Sequence, residues 1–332
     1  MRRGEARLSR LRPIPNGVRW APVALAILIG LFSAKASAEP VPDTCRIHYP
    51  SDAHIPWTCL RIRRQTNVKR LFGADWQGVL RFNRIDRRHI YPGVRLKVPN
   101  DLRQVAHFTP LPQTYAPAAE IPKFILVDLS EQFLGAYDFG TLAMSFPITS
   151  GDNAVARRRT PIGTFHITAY DRLHVSSLYD LADTHTPYPM HYALRFLVTL
   201  NGVAVWIHGR DVPGYAASHG CIGLYDEQMQ KEYYGTPRTP VLEDARTLYE
   251  WAIAPHPDDG RFHALTNGPT VEIIGHAPNF PPRAVRAAPQ AAGRLSRRGP
   301  KRAVTTGAHL TQHCHAEGHA ASGLRCRGSP PH

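Results

Sequence analysis

The sequence predicts a mostly β protein with a small mixed unit ahead of its main domain, and two observations carry that expectation. From Lys123 onward, short apolar runs alternate with polar and glycine-containing turns, the texture of a strand-rich domain. Between Trp57 and Pro99, alternating and helical patterns follow one another in the order strand, helix, helix, strand.

Taken in order, the 332-residue chain opens with Arg2, Arg3, Arg7, Arg10, Arg12 and Arg19, then an apolar run from Ala21 to Ala34, then Ala36-Ser37-Ala38. That layout is expected of a cleavable secretory signal over residues 1–38, with small residues where the peptidase cuts. The apolar run is shorter than the ~20 residues that cross a bilayer, so contact with the membrane is expected only through this signal. Arg2-Arg3 lies far upstream of the run, which favours general export over a twin-arginine route.

In residues 45–103, Trp57–Arg63 alternates as a strand, and Val68, Leu71, Phe72 and Trp76, Val79, Leu80 recur at helical spacing. A Pro92-Gly93 turn precedes a second alternating run, Val94, Leu96, Val98. Residues 104–122 contain Pro110, Pro112, Pro117 and Pro122 and read as a stiff linker. Within 123–282, strands are expected at Phe124–Val127, Phe133–Tyr137, Leu142–Ile148, Phe165–Ala169 and Thr270–Ile274, and a helix at Glu243–Ala252. Asn201-Gly202 between Phe196–Leu200 and Val203–Ile207 is a hairpin signal. Residues 283–332, with few large apolar groups, are expected to form a basic disordered tail. His309, His313, Cys314, His315, His319 and Cys326 in that tail match no closed zinc pattern, so no metal is expected there.

The formal charge of +14 does not indicate nucleic acid. Residues 1–38 carry seven Lys/Arg against one Glu, and residues 283–332 carry nine against one, which leaves 24 of each sign between them. Five cysteines in an exported chain leave one unpaired. Cys45 and Cys59 are close in sequence near the mature N-terminus, Cys314 and Cys326 could pair in the tail, and Cys221 is then the odd thiol, although other pairings remain open.

Cys221 lies in WIHGRDVPGYAASHGCIGL, Trp206 to Leu224. A reactive cysteine needs a base to take its proton and backbone donors to receive the oxyanion formed on an attacked carbonyl. His208, expected at the end of a strand, is the candidate base, and the amides of Gly220 and Cys221 are candidate oxyanion donors. Gly209 and Gly220 permit close backbone approach, and Ser218 could orient a histidine. On spacing alone, a zinc site of His208, His219 and Cys221 and a buried inert thiol both remain open.

Two family resemblances add to this reading. His208-Gly209 followed by Ser218-His219-Gly220-Cys221-Ile222 resembles the signature of the L,D-transpeptidases, the YkuD-type catalytic domain, with Thr149-Ser150-Gly151 and Thr160-Pro161-Ile162-Gly163-Thr164-Phe165 as further landmarks. The resemblance implies a β-sandwich-like catalytic domain over residues 123–282, with Cys221 as nucleophile and His208 as base. Ser218, His219, Gly220 and Gly209 would shape the site and oxyanion hole. It implies a thioacyl-enzyme formed on a peptidoglycan tetrapeptide stem with release of D-alanine, then transfer to an amine. The product is a 3-3 cross-link or a lipoprotein attached to the wall; no cofactor is required. Related members use water instead, as L,D-carboxypeptidases or murein-lipoprotein hydrolases. Gly223 stands where the family commonly has arginine or asparagine, and Arg210 or the run Arg157-Arg158-Arg159 is the candidate replacement for binding substrate, a solvated loop being the alternative for the run.

The ending Ile90-Tyr91-Pro92-Gly93 and the βααβ pattern of residues 45–103 resemble a LysM module, which implies binding to wall glycan, although Arg64-Gln65-Thr66 replaces the usual Gly-Asp-Thr. This segment carries thirteen Lys/Arg against four Asp, a second means of holding an anionic wall. Together these features place the expected protein in the periplasm, with peptidoglycan stems and glycan as partners. A non-catalytic wall-binding protein is the alternative from another class.

Overall fold

In the computed structural model the described residues are 40–280, apart from 65, 182 and 183; the segments expected to be a signal and a basic tail, with Cys314, Cys326 and the histidines near them, lie outside these residues. The first elements are β1 (Trp57–Arg61), α1 (Val68–Phe72), α2 (Trp76–Asn83) and β2 (Arg95–Pro99). β1 and β2 pair antiparallel, with Trp57 opposite Pro99 and Arg61 opposite Arg95. Asn67 starts α1 by accepting from the Arg70 N–H, a cap that satisfies a donor helix geometry leaves free. α2 buries Trp76, Val79, Leu80 and Phe82, the stripe its spacing predicts. A disulfide joins Cys45 to Cys59, 5.9 Å apart at Cα.

The main domain holds two five-stranded sheets. In the first, β3 (Phe124–Asp128), β4 (Phe133–Asp138) and β5 (Thr141–Pro147) form a meander, extended by β6 (Gly163–His166) and the last strand, β14 (Thr270–Ile274), in the order β5-β4-β3-β14-β6. The second is built from β7 (Ala169–Asp171), β10 (Ala193–Val198), β11 (Ala204–Arg210), β12 (Ile222–Tyr225) and β13 (His263–Ala264), in the order β12-β11-β10-β7-β13. A short ribbon of β8 (Val175–Asp180) and β9 (Pro187–Pro189) stands beside them, and α3 (Glu227–Tyr234) and α4 (Asp244–Ile253) follow β12. Ile125, Val127 and Val271 of the first sheet share one core with Leu194, Ile207 and Ile222 of the second, and Leu248 and Tyr249 of α4 complete it. The described fold is mostly β, and the two sheets pack as a sandwich, with alternate residues of each strand turned inward.

Phe124–Val127 is apolar without alternation because both faces of β3 are covered. Ile125 and Val127 enter the sandwich core, while Phe124 and Leu126, with Phe133 and Tyr137 of β4, enter a second core with Val79, Leu80, Phe82 and Phe108. Phe108 packs edge-on between Phe82 and Phe133, with ring centroids 5.1 and 5.5 Å away. Burying each such side chain contributes about 1.5–3 kcal/mol, so the N-terminal unit and the sheet stabilise each other. Residues 104–122 therefore differ from the extended linker expected from their prolines. Val105, Phe108, Leu111 and Ala118 are buried in the second core, and the described residues fall in a single compact unit. Proline content reports a stiff backbone, and here that stiff backbone is wrapped against apolar surface.

Two more differences have local causes. The strand expected at Phe165–Ala169 divides into β6 and β7, because the chain crosses between sheets at Ile167-Thr168, whose N–H groups donate to Pro269 and Arg195 carbonyls at 2.9 and 2.7 Å. α3, Glu-Gln-Met-Gln-Lys-Glu-Tyr-Tyr, lacks an apolar stripe and was not expected; Asp226 caps it by accepting from the Met229 N–H at 2.8 Å.

Candidate active site

The segment bearing Cys221 is held by backbone and hydroxyl hydrogen bonds from two short motifs. Thr149 and Gly223 exchange both N–H···O bonds, at 2.8 and 2.9 Å. The Ser218 N–H donates to Ser150 O at 2.9 Å, and the Asp152 N–H donates to Ser218 O at 3.0 Å. Thr160 Oγ1 donates to Gly220 O at 2.9 Å and accepts from the Gly151 N–H at 2.8 Å. Thr149-Ser150-Gly151 and Thr160 thus fix the approach to β12. At Gly220 the backbone lies at φ +125°, a region that favours glycine.

β11 and β12 are parallel, with Ile207 opposite Ile222 and His208 opposite Gly223. Ile207 and Ile222 point into the sandwich core. Side chains alternate along a strand, so His208 and Cys221 share the other face, on neighbouring strands and one diagonal apart. Trp206, on this same face, packs against Cys221. His208 is buried, at 3% exposure, and its Nδ1–H donates to Gly209 O at 2.8 Å. That bond fixes the tautomer and makes Nε2 the basic nitrogen. Burial, then the nearby Arg210 charge, pushes the His208 pKa down to about 3. Burial also pushes the Cys221 thiol up, opposed by a backbone hydrogen bond from Trp206 and by Arg210. At rest the pair is therefore a neutral thiol beside a neutral imidazole, with no hydrogen bond directly joining them in this structure. Catalytic hydrogen bonds often tighten only once substrate is bound.

Arg210 is the cation of this face, and a glycine makes room for it. A Cβ at Gly223 would lie 2.0 Å from both Cγ and Cδ of Arg210, so the arginine stem occupies the space a side chain at position 223 would need. A guanidinium is thus delivered from β11 beside the position where the family resemblance expects a polar side chain from β12. Gly209 is required for a different contact: a Cβ there would meet Asp226 Oδ2 at 2.3 Å.

The other expected site residues divide between surface and scaffold. His219 and Cys221 line a cavity of about 350 Å³, with Tyr179, Met190 and Trp206 among its walls. The His219 ring lies against Tyr179, centroids 4.4 Å apart. Burial and the cations Arg158, Arg210 and Arg157 lower the His219 pKa. Ser218 Oγ donates to Cys221 O at 2.5 Å and accepts from the Gly220 N–H at 3.0 Å. Ser218 therefore braces the loop instead of orienting a histidine, and the Gly220 amide is already engaged. The expected zinc alternative, His208 with His219 and Cys221, is not among the ligand groups that converge within 4.8 Å in the described residues.

One convergent group, Asp86, His89 and Asp211, was not anticipated from the sequence. Asp86 Oδ1 accepts from the His89 N–H and from Nδ1, at 3.0 and 2.8 Å, while Oδ2 accepts from the Val212 N–H and Gln230 Nε2, at 2.7 and 2.8 Å. Arg88 grips both oxygens of Asp211, at 2.9 and 2.8 Å. These carboxylates are satisfied by protein donors with a guanidinium among them, an environment that suits a polar clamp and repels a cation. The clamp joins the N-terminal unit to Asp211-Val212, immediately after β11. The sequence signal for it was faint: an Ile-Asp-Arg-Arg-His run whose partners lie more than a hundred residues away.

The fold and this face define a β-sandwich domain with a single free thiol, among the described residues, beside a buried histidine. The family model that matches is YkuD, the L,D-transpeptidase catalytic domain, over residues 122–271, which leaves the βααβ segment outside the match. Among solved structures, the chain is similar to an L,D-transpeptidase (Yku) from Stackebrandtia nassauensis, with 20% identity over 54% of this chain and 66% of that one, TM-score 0.33. It is also similar to L,D-transpeptidase 1 of Mycobacterium tuberculosis, with 21% identity over 46% and 62% of the two chains, TM-score 0.29. For the Xylanimonas cellulosilytica L,D-transpeptidase the figures are 18%, 66% and 97%, TM-score 0.34. The chain spans less than two thirds of the Stackebrandtia and Mycobacterium proteins, and the assignment of residues 122–271 rests on the family match. None of the curated proteins matches this sequence.

Proposed function

We propose that this protein is an exported cysteine L,D-transpeptidase that acts on peptidoglycan in the periplasm. The observation that carries the reading is the shared face of β11 and β12, where Cys221 lies one diagonal from a histidine whose Nδ1 is committed to Gly209 O. Nε2 of His208 takes the thiol proton as sulfur attacks the carbonyl of the third residue of a tetrapeptide stem. The negative oxygen is received by the Cys221 amide, with Arg210 as the nearby cation. The carbon–nitrogen bond to D-alanine then breaks, and the proton held by His208 goes to the departing amine. A thioester remains. An acceptor amine attacks it, gives its proton to His208, and expels the Cys221 sulfur, which takes that proton from His208 to restore the thiol and leaves a new amide. The thioester carries the activation from donor to acceptor, so the cycle needs no metal or cofactor.

In this reading the acceptor is the side-chain amine of a neighbouring stem, giving a 3-3 cross-link, or a wall-anchored lipoprotein; residues 45–103 hold the enzyme to the glycan. Arg210 binds a stem carboxylate. The test is incubation of residues 39–332, and of a Cys221→Ala variant, with tetrapeptide muropeptides, followed by mass spectrometry. Dimers lost in the variant are the expected result. Tripeptides without dimers would replace transfer with hydrolysis, and unchanged stems with retained wall binding would make the protein a non-catalytic anchor.

A further inference from the structure

Acyl transfer to an amine has one more proton to place than His208 can hold. If Cys221 is acylated as proposed, the attacking nitrogen gives one proton to His208. An alkyl amine, with a pKa of about 10.4, reaches the site as an ammonium and must first lose another to free its lone pair. The cavity that holds Cys221 has a histidine in its wall that the cycle leaves unused, His174. Its Nδ1 lies 3.0 Å from Asp171 Oδ2, so Nδ1–H donates to the carboxylate and Nε2 keeps its lone pair.

The fold holds this pair firmly. Asp171 is the last residue of β7, opposite Ala193 of β10, and its Oδ1 accepts from the Leu173 N–H at 3.3 Å. The Met190 N–H donates to His174 O at 2.8 Å, which ties the turn to the chain after β9. The imidazole lies on Trp206, centroids 4.3 Å apart, and Trp206 packs against Cys221. Three imidazoles thus lie near the thiol, in different charge environments. His208 donates to a backbone carbonyl, while burial and the cations Arg158, Arg210 and Arg157 lower the pKa of His219. Of the three, only His174 hydrogen-bonds a carboxylate among the described residues. No Asp, Glu, Lys or Arg lines the cavity itself, so Asp171 is what balances a positive charge formed on its wall.

We propose that His174 is a second catalytic base, which takes the extra proton of the acceptor ammonium, and that Asp171 positions it. An N–H bond of the ammonium breaks, its proton joins Nε2, and the freed lone pair attacks the thioester carbonyl. The side chain of His174 is 24% exposed, so the proton it has taken passes on to water. The second nitrogen proton goes to His208 and from there to the sulfur. The thiol and the acceptor amine are therefore served by different histidines.

The test compares residues 39–332 with a His174→Gln variant, using a tetrapeptide stem as donor and two acceptors. One is the same stem, whose side-chain amine is an ammonium at neutral pH; the other is acetohydrazide, whose terminal nitrogen is already neutral. With the stem as acceptor, dimer formation should fall about 10²-fold in the variant, while protein mass shows the thioacyl-enzyme persisting. With acetohydrazide the fall should be far smaller, so the ratio of the two transfer rates drops about 10²-fold. Asp171→Asn keeps the size of the side chain and loses its charge, and should lower the same ratio about tenfold. The acid limb of transfer to acetohydrazide then reports His208 alone. A loss shared equally by both acceptors would reduce His174 to a support for Trp206, and an unchanged dimer rate would remove it from the reaction. Either result overturns the proposal and leaves Cys221 and His208 in their roles. A parent protein that forms no thioacyl-enzyme would instead overturn the enzymatic reading itself, and this inference with it.

Discussion

The face around Cys221 and the clamp around Asp86 are both buried and polar, yet they are built in opposite ways. At the clamp, Asp86 accepts four hydrogen bonds and Asp211 receives both arms of Arg88. On the face across β11, the imidazole of His208 commits one nitrogen to Gly209 O and keeps the other basic. Saturated hydrogen bonding fixes a backbone, whereas chemistry requires a group whose capacity is not yet used. Only a few residues of β11 separate the two regions, so the rigid one holds the reactive one in place.

The largest expected effect comes from the reactive side of that contrast. A His208→Gln variant keeps the size of the side chain and loses the base, and acyl transfer from tetrapeptide stems should fall about 10²–10⁴-fold. Circular dichroism melting should change far less than activity. Equal losses in both would make His208 a packing residue.

Next in size is the clamp. Asp86→Leu strips the Val212 N–H, Gln230 Nε2 and the N–H and Nδ1 of His89 of their acceptor, which should cost about 2–4 kcal/mol of stability in denaturant titration. Asp86→Asn keeps an acceptor and should recover part of that loss. If the leucine variant were as stable as the parent, the N-terminal unit would not brace β11.

A smaller effect is expected where β11 and β12 touch. Gly223→Arg places a side chain on the stem of Arg210 and should lower the transfer rate about tenfold, an overpacking cost of roughly 1–3 kcal/mol. Adding Arg210→Gly removes the clash with that stem, leaving only the 2.9 Å approach to Thr149 Cγ2, and restores a guanidinium from the other strand. Recovery of rate in the double variant would show that the two positions share one space, and a merely additive loss would show that they do not.

How much of this could be read from residues alone depended on the range of the contacts. Thr270–Ile274 is a strand by its own residues, and Asn201-Gly202 marks the turn between β10 and β11, with Gly202 at φ +77°. His208 and Cys221 could be paired from their motif because both lie beside glycines in a single short segment. The clamp could not, since Asp86 and Val212 are brought together only by packing of the N-terminal unit on the outer face of β3 and β4. The same packing defeated the linker reading of residues 104–122, and the exchange of space between Gly223 and Arg210 becomes visible only once the register of two parallel strands is known.

The finest distinction concerns protonation on the reactive face. Burial lowers the His208 pKa to about 3 and raises that of Cys221 above its ordinary 9.0. Neither group is charged between those limits, so the alkylation rate of Cys221 by iodoacetamide should keep rising with pH beyond 9.0. A preformed thiolate–imidazolium pair would instead give a rate that is flat across neutral pH. Arg210 lowers both pKa values, because its positive charge favours thiolate and disfavours imidazolium. Arg210→Met must therefore move both upward: the alkylation profile shifts to higher pH, and the acid limb of acyl transfer moves up from near 3 toward the ordinary histidine value of 6.5. A variant in which only the alkylation profile moved would place the guanidinium beside the sulfur but remove it from the surroundings of His208.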